Sequence, residues 1–183
     1  MRLAGLDFET ANWKNGSICA AGCVVLADGV ATESQEWLIH PRKGYCWMLP
    51  KFTEIHGLNY WDVKDSPEFP EVWPELRRML LSADCLIIHH APFDLRQLRS
   101  VLALYQLPPV EFDYADSLVI SRKLFPDMTS HALDAMAEYF GISFQHHNAL
   151  EDAMTCASII AKTGIPDGFV QRFSTITKKG LTP

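Results

Sequence analysis

Apolar and polar positions set out most of the elements of this chain. Arg2 to Phe8 is short and mostly apolar, with Leu3, Ala4, Leu6 and Phe8 filling both faces of a strand. Ser17 to Leu26 is apolar again, Asp28-Gly29 is a two-residue hairpin signal, and Val30 to Ile39 returns with mixed alternation. Three adjacent strands are predicted, the second and third antiparallel. Pro41 to Asp65 is the least regular part: Pro41, Gly44, Pro50 and Gly57 punctuate a stretch rich in aromatics, including Tyr45, Trp47, Phe52, Tyr60 and Trp61. Loop aromatics beside Arg42, Lys43 and Lys51 can stack bases or form a small satellite core.

Further on, Val72, Leu76, Met79 and Leu80 share one side of a helix predicted over Pro70 to Leu81. Asp84 to His90 is an apolar run of strand length, and Pro92 suits the first turn of a helix that ends before Pro108-Pro109. Glu111 to Ala115 reads as a fifth strand, followed by a short helix through Leu118, Val119 and Leu124. Ser130 is expected to cap a helix ended by Gly141. The last helix starts at Asn148, where Glu151 completes a capping-box pattern, and stops near Thr163 before Gly164 and Pro166. No repeat or linker divides the chain, so residues 1–164 are expected to form one domain and 165–183 a polar tail.

Acids that interrupt this pattern point to chemistry. Asp7 and Glu9 project from the same face of the first strand; alone, they could mark a solvated strand end. Asp94, however, precedes Leu98 by four residues and Val101 by seven, and Asp152 stands in the same relation to Cys156 and Ile159. Both therefore fall on a buried helical stripe. If the four converge, carboxylates about 5 Å apart repel by roughly 3 kcal/mol per pair at an effective dielectric near 20. Protonation or metal must relieve that. Oxygen ligands without a Cys or His cluster suit Mg²⁺ or Mn²⁺ rather than zinc, and two such ions could clamp an in-line displacement at phosphorus. His147, five residues before Asp152, could accept a proton from the attacking water. His146 is read as solvent-facing, and the consecutive His89 and His90 as a poor ligand pair.

Composition narrows the classes. The 183 residues, 48% hydrophobic and 21% charged, suit one globular domain. No apolar run approaches bilayer length, and Asp7 and Glu9 interrupt what would be a signal peptide, so a cytoplasmic location is expected. Cys19, Cys23, Cys46, Cys85 and Cys156 lack paired metal spacing and read as free thiols. A net charge of -6 argues against holding nucleic acid by bulk electrostatics, but not against a nuclease whose acids are neutralised by metal.

Three strings, D-F-E-T at 7–10, H-H-A-P-F-D at 89–94 and H-N-A-L-E-D-A at 147–153, resemble the three exonuclease motifs of the DEDDh family. That family includes the epsilon proofreading subunit of bacterial replicative DNA polymerases. Ile55-His56-Gly57-Leu58 and Asp116-Ser117-Leu118 resemble two further family segments, and coverage runs from about residue 2 to 163. The resemblance implies an α/β, ribonuclease H-like fold with a mixed five-stranded sheet flanked by helices. It also implies release of nucleoside monophosphates from a 3′ end. By motif position, Asp7, Glu9 and Asp152 would bind a first metal, Asp7 would bridge to a second near Asp94, and His147 would be the general base. Thr10 and His56 fall where the family contacts the terminal nucleotide. His90 stands where the family often has Asn, which bears on substrate contacts more than on chemistry. The implied substrate is a single-stranded or frayed 3′ end of DNA, with RNA as the alternative and a non-catalytic binding module as a third reading. A polymerase partner, a homodimer and a role in DNA repair stay open.

Overall fold

In the computed structural model, residues 1–176 are described. They form β1 (Arg2–Thr10), β2 (Ile18–Ala27), β3 (Val30–Leu38), α1 (Pro50–His56), α2 (Tyr60–Val63), α3 (Phe69–Leu81), β4 (Cys85–Ile88), α4 (Ala91–Tyr105), β5 (Glu111–Asp116), α5 (Ser117–Leu124), α6 (Leu133–Tyr139), α7 (Ala149–Thr163) and β6 (Gln171–Ser174). One mixed sheet runs in the order β3-β2-β1-β4-β5-β6. The β1–β4 and β4–β5 pairs are parallel; β1–β2, β2–β3 and β5–β6 are antiparallel.

Helices cover both faces, which is why β2 and β4 are buried almost throughout and read as continuous apolar runs. The two-residue period of a strand sorts side chains between the layers. Ala4, Leu6, Phe8, Leu86 and Ile88 pack with Phe69, Trp73 and Leu76 of α3 and Leu98 of α4. Leu3, Val24, Leu26, Cys85 and Ile87 pack with Ala153, Cys156, Ala157 and Ile160 of α7.

The α7 layer depends on two missing side chains. A Cβ on Gly22 would stand 2.1 Å from the Ala149 carbonyl oxygen, and one on Gly5 would stand 2.1 Å from that of Ala153. Gly22 pairs directly with Asp7 across β1–β2. The backbone of α7 thus lies on the sheet itself, on the face from which Asp7 and Glu9 project.

Several expectations need correction. The sheet has six strands, not five, because Gln171–Ser174, within the stretch read as a polar tail, pairs antiparallel with β5. Only Phe173 of that strand is buried, stacked on Phe112 with ring centroids 5.0 Å apart, while Arg172 bonds to Asp113 and Glu111 on β5. Residues 177–183 of the expected tail lie outside the described residues. The irregular stretch contains two short helices: Pro50 opens α1 and Gly57 closes it with a left-handed φ of 77°, and Asn59 and Asp62 form a capping box on α2. Val63 joins Ala11 and Cys19 in a satellite core, whereas Trp61 is exposed. Ser130 is not the cap of α6; Ala132 occupies that position, and its N–H donates to Ser130 Oγ at 3.3 Å. At α7, Asn148 Oδ1 accepts from Glu151 N at 2.9 Å as expected of an N-cap.

Replacing Gly22 with Ala should force α7 off the sheet. The expected cost is about 1–3 kcal/mol, read as a lower urea midpoint with an unchanged m-value. A variant as stable as the parent would show that α7 can retreat freely.

Candidate active site

Asp7 and Glu9 stand near the carboxyl end of β1, beside the parallel strand β4 and the N-terminal turns of α4 and α7. Carboxyl ends of parallel strands are where open α/β sheets bind ligands. Asp94 and Asp152 occupy the first turns of α4 and α7, where helix dipoles favour negative charge.

Asp7, Glu9 and Asp152 each bring a carboxylate oxygen within 4.8 Å of the others. Asp152 Oδ2 accepts from the His147 backbone N–H at 3.0 Å, and its Oδ1 is buried without a partner. Asp94 comes from the opposite layer and is 1% exposed. Its Oδ1 accepts from Phe8 N, the amide between the two β1 acids, at 3.0 Å, and it stands outside the three-carboxylate group.

Burial is the main reason these acids resist ionisation. It raises Asp7 well above the usual carboxylate range, reinforced by Asp94, Glu9 and Asp152. Burial and then Asp152 and Asp94 push Glu9 up to about 8. Asp152 rises to about 7 through burial, and Asp94 rises well above its ordinary value for the same reason. An orphaned buried oxygen within a cluster of repelling carboxylates fits a hard divalent cation, which would satisfy both.

His147 is held with φ at 66°, a left-handed conformation uncommon outside glycine. Its pKa is lowered by burial, then by His146 and His56, which favours the neutral ring. His146 is exposed, as expected, yet its ring stacks on His147 with centroids 3.9 Å apart. His146, His147 and Asp152 also place one ligand atom each within 4.8 Å.

Two cavities meet at Glu9 and His147. The larger, about 650 Å³, is lined by Asp7, Glu9 and Asp152 and by Phe93, Arg122, His89, His131 and His146. The smaller, about 400 Å³, includes His56, Leu58 and Glu36. Thr10 lines neither; it is buried, and its carbonyl faces His56 Nε2 at 3.2 Å. Leu58 N donates to His56 Nδ1 at 3.1 Å, so Nε2 carries the proton and donates to Thr10. Two segments singled out by the sequence are joined by that one ring.

Asp116 explains another. Its carboxylate accepts from His90 N and Ala91 N at 3.1 and 3.0 Å and from Leu118 N and Val119 N at 2.9 and 3.4 Å. One side chain caps α5 and clamps the turn that launches α4 and hence Asp94. In that turn His90 has φ 65° and is exposed outside the large cavity. The position needs a left-handed residue, a conformation for which Asn and His are both enriched.

Sequence reasoning missed His89, His131 and Arg122 as cavity residues. His89 is held by Ser117 Oγ at 2.9 Å, and burial lowers its pKa to about 4.

Fold and acid cluster together define an α/β protein with a carboxylate-rich cleft at the strand ends. The Exonuclease family model matches residues 5–160, and the chain belongs to the exonuclease family. It is 31% identical over 159 residues to DNA polymerase III PolC-type of Caldanaerobacter subterraneus subsp. tengcongensis, covering 85% of this chain and 11% of that protein. It is 33% identical over 119 residues to DNA polymerase III subunit epsilon of Rickettsia prowazekii, covering 61% of this chain and 51% of that one. The chain therefore spans about a tenth and about half of the length of these relatives. Among solved structures, the nuclease domain of 3'hExo, a DEDDh family member, bound to rAMP superposes with TM-score 0.74 at 16% identity, covering 88% of this chain and 90% of that chain. Exonuclease X in complex with 5′ overhanging duplex DNA gives TM-score 0.69 at 22% identity, covering 87% of this chain and 89% of the other. The fold is ribonuclease H-like, with six strands in the sheet. Among the described residues, no helix is long and apolar enough to cross a membrane.

Without a cation, the native state holds its acid protons to higher pH than the unfolded chain does. Glu9 rises from 4.5 to about 8 and Asp152 from 3.8 to about 7, so metal-free stability should fall as pH rises through that window. Adding Mn²⁺ should raise the melting temperature most at the alkaline end, where the acids are ionised and bind. Thermal melts at pH 5 and pH 8, with EDTA and with Mn²⁺, read this directly. A metal increment that is larger at pH 5 would contradict it.

Proposed function

We propose that this chain is a divalent-metal-dependent 3′-to-5′ exonuclease that releases nucleoside monophosphates from single-stranded or frayed DNA ends. The observation that carries this reading is the convergence of Asp7, Glu9 and Asp152 around the unpartnered Asp152 Oδ1, beside His147. Asp7, Glu9 and Asp152 would hold one Mg²⁺ or Mn²⁺, and Asp7 a second near Asp94. Such ions, when bound, supply charge neutralisation at phosphorus and a more acidic attacking water. His147, whose neutral ring is favoured, takes the proton from that water. Its left-handed backbone lets its own N–H orient Asp152 while the ring lines both cavities. His56 would approach the terminal nucleotide from the smaller cavity, and Thr10 would contribute through its backbone, which fixes the His56 ring.

DNA is favoured over RNA because the sequence relatives are DNA polymerase III chains. The same relatives favour a proofreading or repair setting with a polymerase nearby. Two structural neighbours were solved with duplex DNA and with rAMP bound, so both polymers belong in the assay.

Digestion of a 5′-labelled single strand, as DNA and as RNA, should give metal-dependent ladders that shorten from the 3′ end, faster for DNA, and that stop with EDTA. Absence of cleavage by folded, metal-loaded protein would leave a binding module instead. Asp7→Ala should abolish hydrolysis without lowering the melting temperature, since it removes one acid from a repelling cluster. His147→Ala should lose about 10²–10⁴ in rate. In the parent the rate should rise with pH through a histidine titration below 6.5 and then level. The same rise persisting in His147→Ala would remove His147 from the role of base.

A further inference from the structure

The large cavity has a second wall, built from α5 and the loop before α6, that the reaction above does not use. Arg122, Thr129 and Ser130 line it. Among the described residues that line the cavity, Arg122 is the only permanent cation, and it forms no ion pair. Arg78 and Arg172, by contrast, are engaged with carboxylates. The wall is held in place: His131 Nε2 donates to the Phe125 carbonyl at 2.9 Å, and Met128 N donates to the same oxygen at 3.1 Å. Ser130 Oγ accepts from Ala132 N, which leaves its O–H free to donate. A guanidinium and two hydroxyls lining one cavity can supply a donor set for a phosphate.

The chemistry of a 3′ end says which phosphate. The terminal nucleotide ends in a hydroxyl, so the only phosphate adjacent to the one being cut lies upstream, on the penultimate nucleotide. The scissile phosphate belongs beside Asp7, Glu9 and Asp152, whose wall is built from β1 and α7. A cavity of about 650 Å³ has room for more than one phosphate group. We propose that Arg122, with the hydroxyls of Thr129 and Ser130, binds the phosphate immediately upstream of the scissile one. The inference rests on the exonuclease reading above. It makes Arg122 a residue that grips the retained strand rather than the departing nucleotide.

The test compares two short single-stranded DNAs, identical except that one carries a neutral methylphosphonate at the linkage just upstream of the scissile bond. With the parent enzyme the neutral linkage should raise KM for release of the first nucleotide by about tenfold. Arg122→Ala should raise KM on the ordinary strand by a similar factor and show no further penalty on the neutral one. Its salt dependence should be shallower by about 0.7 in the log–log slope. Arg122→Lys should restore part of the difference, and the melting temperatures should match. Equal penalties from the neutral linkage in parent and Arg122→Ala would overturn the assignment. That result is the same as an Arg122→Ala loss of equal size on both strands, and it would move Arg122 away from the upstream phosphate. A parent enzyme that cuts neither strand would defeat the exonuclease reading itself, and the subsite with it.

Discussion

The close approach of α7 to the sheet is the constraint on which the candidate site depends. Asp152 reaches Asp7 and Glu9 only because Gly5 and Gly22 let the carbonyls of Ala153 and Ala149 come down to the strands. A side chain at either position would lift the helix by the thickness of a methyl group, and the acid it carries would move with it. The packing that creates the cluster is also what makes it costly. Dry surroundings and mutual repulsion raise Asp7, Glu9 and Asp94 above the usual carboxylate range, a penalty that a bound cation would offset. Apolar burial elsewhere in the same layer, through Cys156, Ala157 and Ile160, holds the helix in place against the repulsion of the carboxylates.

Much of this was legible in the chain because each layer leaves a period in the sequence. Leu3 and Phe8 mark opposite faces of β1, and Leu98 and Val101 mark the inner stripe of α4, so an acid such as Asp94 on that stripe stands out. Where burial leaves no period, the sequence is silent. α1 has no buried residue, and only Pro50 and Gly57 outline it. β6 buries Phe173 alone and is held by backbone pairing and by Arg172, neither of which shows as alternation.

Site residues divide along the same line. Acids and His147 could be found because they break an apolar pattern or fall within strings that resemble a family. Arg122 could not, since an exposed arginine on a short helix looks like any solvated residue until the fold places it on the wall of the cavity that the acids line. Asp116 was visible within a string, but its work was not. Four backbone amides converge on it from two segments, and only the folded turn shows that.

The acids are contributed by positions 7, 9, 94 and 152, and Asp94 belongs to the layer opposite α7. No fragment of the chain holds them together. Both helical layers must dock on the finished sheet before the cluster exists, and closing such long loops comes late in folding. A chain emerging from synthesis, or one partly unfolded by stress, therefore lacks the cleft even while its strands and helices are forming. A cation held by these acids would then favour the completed fold over every incomplete one. On the proposed exonuclease function, this arrangement acts as a safety catch: competence to cut is withheld until the whole domain is built.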